Sequence, residues 1–163
     1  MKETLIKTLD KLNIILETLN DKQYTDKSIP PFHSSVGGHV RHILNFYDAI
    51  ISGFDVREIN LVNRKRDSLT EVSTKEALLH LNTVKQGIIA LPQTYDVGLN
   101  VIDNLGDGDA VVPYTLGGVL SHANSHAIHH YAIISYVLNA SCICVQDSSF
   151  GYNPSTPASN NIR

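Results

Sequence analysis

Histidine is the residue type in this chain whose number and spacing could do chemistry. There are eight in 163 residues, and seven fall into two groups. His33, His39 and His42 form the first, and His122, His126, His129 and His130 the second, while His80 stands alone and reads as a surface or core histidine without a role. Imidazole ligates divalent metals and moves protons near neutral pH. At about 100° per residue, with His122 at 0°, His126 falls near 40°, His130 near 80° and His129 near −20°. Leu116, Val119, Leu120, Ile133, Ile134, Val137 and Leu138 share an arc from about 20° to 160°. His126 and His130 thus lie inside an apolar stripe, His122 at its margin and His129 outside it. A buried imidazole is costly unless its nitrogens are satisfied, and neighbouring neutral imidazoles offer too few matched donors. A single core histidine is usually just hydrogen-bonded. Histidines at i, i+4 and i+8 on one buried arc point instead to a metal ion, on which residues one turn apart can converge. A third ligand should come from another helix, from His39 or His42. Periodicity alone puts His39 nearer the centre of its apolar face and favours it.

The elements that must position these side chains can be read from hydrophobic spacing. Leu5, Leu9, Leu12, Leu16 and Leu19 recur at steps of three and four, predicting a helix near 2–20. Ile29-Pro30-Pro31 interrupts helix formation, and Ser34 or Ser35 can cap a second helix near 35–53. Gly37 and Gly38 in its first turn would let another backbone approach closely. Residues 55–72 read as a charged connection, long enough to cross a bundle, before a third helix near 74–91 closed by Pro92. Residues 95–101 alternate with period two, 104–109 have turn chemistry and 110–114 can return, so a short hairpin is expected before a fourth helix near 115–140. The expected fold class is all-α, a four-helix bundle with that hairpin between helices three and four. The expected domain is 1–146, followed by a Ser-, Asn- and Pro-rich tail, 147–163, ordered only if it docks on the bundle.

Composition excludes several classes. Apolar residues make up 42% and charged residues 18%, which suits a folded core rather than disorder. A net charge of −3 does not suit a general phosphate-backbone binder, and Arg64-Lys65-Arg66, followed by Asp67, reads as a solvated loop. No apolar run reaches membrane length and the N-terminus has no signal-peptide pattern, so a cytoplasmic location is expected, with neither nucleic acid nor membrane as partner. Cys142 and Cys144 are too close for an unstrained disulfide and too few for a closed metal site, and read as packing or incidental residues.

Two segments carry a family resemblance. Ser35-Val36-Gly37-Gly38-His39-Val40-Arg41-His42-Ile43 and Leu120-Ser121-His122-Ala123-Asn124-Ser125-His126-Ala127-Ile128-His129-His130 resemble the histidine motifs of the DinB-like (YfiT-like) family. The stretches 63–67 and 150–156 resemble a bacterial branch of it. The resemblance covers roughly residues 1–145 and implies a four-helix bundle holding one metal, often zinc or nickel, on three histidines. Carried over by motif, the ligands are His42, His126 and His130, against the preference of periodicity for His39. His39 then stands behind the ligands or faces substrate, and His39, His122 and His129 are candidates for moving protons. The fourth-helix motif often continues Arg-Gly-Gln in relatives, whereas here Tyr131-Ala132-Ile133 follows, so substrate does not transfer directly.

Three neutral imidazoles leave an ion its full charge and open coordination positions, as catalytic sites do. Some family members are thiol-dependent transferases, in which the metal activates a small thiol. The expected activity is therefore activation of a small nucleophile, foremost a low-molecular-weight thiol, for attack on an electrophile. Metal-dependent hydrolysis and a non-catalytic metal- or ligand-binding module are the alternatives. The expected partner is a small-molecule substrate, with a homodimer left open.

Overall fold

Three of the four long helices begin where a hydroxyl side chain accepts a first-turn amide. The computed structural model describes residues 1–64 and 68–156, so Lys65, Arg66 and Asp67 of the basic run and residues 157–163 of the tail lie outside the described residues. Helix α1 (Lys2–Thr18) buries Leu5, Leu9, Leu12, Ile15 and Leu16 along the expected stripe. A short helix, α2 (Asp21–Tyr24), follows with a capping box between Asn20 and Gln23. Ser35 caps α3 (Val36–Gly53), its Oγ accepting from Gly38 N at 3.0 Å. Strand β1 (Glu58–Asn60) and helix α4 (Ser68–Val72) come next. Ser73 caps α5 (Thr74–Ala90). Strands β2 (Gly98–Asn104) and β3 (Asp109–Thr115) lead directly into α6 (Leu116–Ala140), which Thr115 caps through Gly118 N.

The all-α expectation is corrected by these elements. Among the described residues the chain is mixed α/β, with six helices and a three-stranded mixed sheet in the order β1-β2-β3. The hairpin antiparallel pairing runs from Gly98 opposite Thr115 to Asn104 opposite Asp109. The segment read as a charged connection adds β1, parallel to β2, with Glu58 opposite Asn100. Three residues are too few to show a period, and their partner lies some forty residues later, so nothing local announces this strand.

The four long helices pack with α1 and α3 each against both α5 and α6. The first and third connections therefore span between helices that are not principal neighbours, and the second, residues 55–72, joins helices that pack against each other. Gly37 is where the backbones of α3 and α4 meet, since a Cβ there would clash with the Glu71 carbonyl and with the Tyr24 ring. A polar bridge ties α3, α4 and α5 together. His80 Nδ1 lies 2.9 Å from the fully buried Thr70 Oγ1, and His80 Nε2 lies 2.6 Å from Asp48 Oδ2. His80 thus has a structural role that its isolation in sequence hid.

Residues 147–156 lie against the helices. Phe150 is buried and stacks on Tyr131 with ring centroids 4.8 Å apart, and Lys11 Nζ donates to Ser149 Oγ at 2.7 Å. The exposed Cys142 has φ +57° just beyond α6, where Cys142 N donates to Asn139 O and Ile143 N to Leu138 O. That is the left-handed position that glycine usually fills at a helix end.

Candidate metal centre

Because α3 packs on α6, histidines one turn apart on α6 face histidines on α3. One nitrogen each from His42, His126 and His130 lie within 4.8 Å of one another. His42 Nε2 is 2.7 Å from His126 Nε2, and His126 Nε2 is 3.1 Å from His130 Nε2. Nitrogens bound to a tetrahedral ion at about 2.0–2.1 Å are about 3.3 Å apart, so the two contacts to His126 would have to open by about 0.6 Å and about 0.2 Å to admit one. His39 is not a member of this group. It stands behind His130, with the two Nδ1 atoms 2.9 Å apart, and its Nε2 lies 2.9 Å from Ser34 Oγ. The geometry therefore gathers the motif-derived set, and the periodicity that favoured His39 did not foresee this. A ligand needs a ring directed across the helix interface, and a position on the flank of the apolar stripe supplies that.

The other candidates occupy the rim. His122 stacks on Tyr114 at 6.2 Å, stands 6.3 Å from the His126 ring, and its buried Nδ1 meets no hydrogen-bond partner among the described residues. His129 is exposed, its ring 5.4 Å from that of His130. Phe46 forms an apolar wall, 4.9 Å from His126 and 5.2 Å from His122. His33 is exposed, with Nδ1 3.1 Å from Lys27 O, and takes no part in the three-histidine group. Cys142 and Cys144 are exposed and free, and do not belong to that group either.

Burial sets the charge state of the cluster. It is the main cause that lowers His42 to about 4, with Arg64, His126 and Arg41 adding to it. Burial likewise lowers His126 to about 4, helped by His122 and Arg64 and opposed by Asp103. His130 falls furthest, to about 2, through burial and then the neighbouring His126 and His42. His39 is lowered by burial and by His129. All four are neutral imidazoles at physiological pH, the form that ligates metal.

A cleft of about 370 Å³ opens beside His42 and His130, with Lys27, Phe32, His33, Ser34, Arg41 and Glu71 among its lining residues. Arg41 Nε donates to Glu71 Oε2 at 2.8 Å, and Lys27 Nζ is 3.5 Å from Glu71 Oε1. On another side Arg64 lies 5.6 Å from the Phe46 ring centroid. Sequence reading missed Glu71, Arg41 and Arg64 at the site. Arg41 sits inside a quoted motif, but Glu71 and Arg64 arrive from a connection without periodicity. A hollow of about 430 Å³ between α1, α6 and the tail is lined without histidine, cysteine or acid, and has no ligand set.

Three neutral nitrogens from two packed helices, all within 4.8 Å of one another, fit a divalent ion. The set contains no carboxylate to lower the ion's charge. Comparison with curated proteins returns no match. The sequence profile of the DinB superfamily matches residues 4–134, a span that runs from α1 through the histidines of α6, and the chain belongs to that superfamily.

Proposed function

We propose that this chain is a metal-dependent enzyme that joins a small nucleophile, foremost a low-molecular-weight thiol, to an electrophilic small molecule. The observation that carries this reading is the convergence of His42, His126 and His130, all neutral, beside a cleft of small-molecule size. A divalent ion in such a set, zinc or nickel here, supplies Lewis acidity that lowers the pKa of a thiol or water at its open positions.

The chain's own residues divide the remaining work. His42, His126 and His130 bind, and Phe46 keeps water from one side of the cluster. Lys27, Arg41 and Glu71 give the cleft charged groups that can orient a polar substrate. In the transfer one S–C bond forms, and the bond to the leaving group breaks with its electron pair going to that group. The thiol proton passes to solvent, with the exposed His129, its ring 5.4 Å from that of His130, as a candidate carrier. The reading involves neither nucleic acid nor membrane. No helix among the described residues is long and apolar enough to cross a membrane.

The test is a panel of small thiols against activated aryl halides and epoxides, with zinc- or nickel-loaded wild type and His126→Ala. Metal-dependent thiol consumption that the substitution abolishes is the expected result. Equal rates for both proteins across the panel refute the transferase. Metal-dependent hydrolysis without thiol makes the chain a hydrolase, and tight ligand binding without turnover makes it a binding module.

A further inference from the structure

His39 was a rival for the ligand position, yet it lies behind His130 in a chain of close polar contacts. Ser34 Oγ, His39 Nε2, His39 Nδ1 and His130 Nδ1 are linked at 2.9 Å and 2.9 Å, and His130 Nε2 continues to His126 Nε2 at 3.1 Å. A neutral imidazole has one N–H, so two facing Nδ1 atoms can share only one proton between them. The whole chain therefore has a direction. In one direction Ser34 donates to His39 Nε2, His39 Nδ1–H donates to His130 Nδ1, and His130 Nε2–H donates to His126. In the other, His130 Nδ1–H donates to His39 Nδ1, and His39 Nε2–H donates to Ser34 Oγ. Both fit the same heavy-atom distances.

We propose that His39 is a positioning residue whose tautomer is fixed by metal loading, and that with Ser34 it locks His130 in its ligating form. The inference rests on the three-histidine metal reading. When the His130 Nε2 lone pair is committed to an ion, the His130 proton must reside on Nδ1. His39 must then accept at Nδ1 and carry its own proton on Nε2, facing Ser34. No group changes charge, and each nitrogen keeps a partner. Ligating histidines commonly donate their distal N–H to a carboxylate or carbonyl, which fixes ring orientation and raises ligand basicity. Here a second imidazole takes that place and extends the connection to a serine on the cleft wall, since Ser34, His39 and His130 all line the cleft.

Long-range ¹H–¹⁵N spectra of the histidine rings, recorded with and without zinc, read the tautomers directly. In the zinc-loaded protein His39 should be the Nε2–H tautomer and His130 the Nδ1–H tautomer. His39 as Nδ1–H with zinc bound would overturn the proposal. Zinc affinity gives an independent reading. His39→Leu has no acceptor and should weaken zinc about 10- to 100-fold, the usual effect of removing such a partner. His39→Asn places an amide oxygen near the Nδ1 position and should recover most of that loss. Leu and Asn variants that both bind like wild type overturn the relay but leave the metal site standing. Failure of wild type itself to bind zinc overturns both. Should His39→Leu fail to fold, the wild-type spectra still decide.

Discussion

Acidification separates this site from three ordinary histidines. Protons compete with metal for imidazole, so apparent affinity falls once the ligands titrate. Three independent imidazoles of pKa about 6.5 would lose about a thousandfold in combined availability between pH 7.5 and 5.5, about tenfold each. Burial instead lowers His42 and His126 to about 4 and His130 to about 2. With those values all three remain almost entirely neutral at pH 5.5, and the expected loss is less than about twofold. The assay is competition with a chromophoric zinc chelator calibrated at both pH values. A thousandfold weakening would show that the imidazoles are not shielded as the packing requires. The metal-free protein gives the companion measurement. Its folded-state values lie below the ordinary 6.5, so the unfolded chain takes up protons first as pH falls. The stability present above pH 6.5 is then lost progressively as pH falls toward about 4, and metal-free Tm should drop across that window.

Three further outcomes test the packing around the site. Gly37→Ala should destabilise by about 1–3 kcal/mol in denaturant titration, since the new methyl meets the Glu71 carbonyl, and a neutral result would mean that α3 and α4 do not touch there. Cys142→Gly should raise stability by about 0.5–1 kcal/mol, because glycine accepts φ +57° without strain, and should leave zinc binding unchanged. His80→Leu should lower stability by about 1–3 kcal/mol by leaving the buried Thr70 hydroxyl without its imidazole partner, with zinc affinity retained.

Much of the helical framework was legible because it is written in local periodicity. Expected helices near 2–20, 35–53, 74–91 and 115–140 lie within two residues of Lys2–Thr18, Val36–Gly53, Thr74–Ala90 and Leu116–Ala140. The hairpin was legible too, from alternation either side of a turn. The all-α class failed for a physical reason. Strand β1 is three residues long and exists through its hydrogen bonds to β2, as when Asn100 N donates to Arg57 O and Leu61 N to Ile102 O.

The histidine cluster shows the same division. Spacing on α6 determined that His126 and His130 share one face, because residues four apart on a helix always do. Periodicity on α3 favoured His39, nearer the centre of the apolar face, while the family motif pointed to His42. The packing of α3 on α6 carries His42 Nε2 to 2.7 Å from His126 and leaves His39 against the back of His130. The same packing brought in Glu71 from α4 and Arg64 from the loop after β1, which no local pattern marks as part of the site. The sequence by itself determined which side chains each helix presents along its length. The tertiary structure decided which of them meet, because a contact between elements far apart in the chain depends on how whole faces pack and not on any spacing within one face.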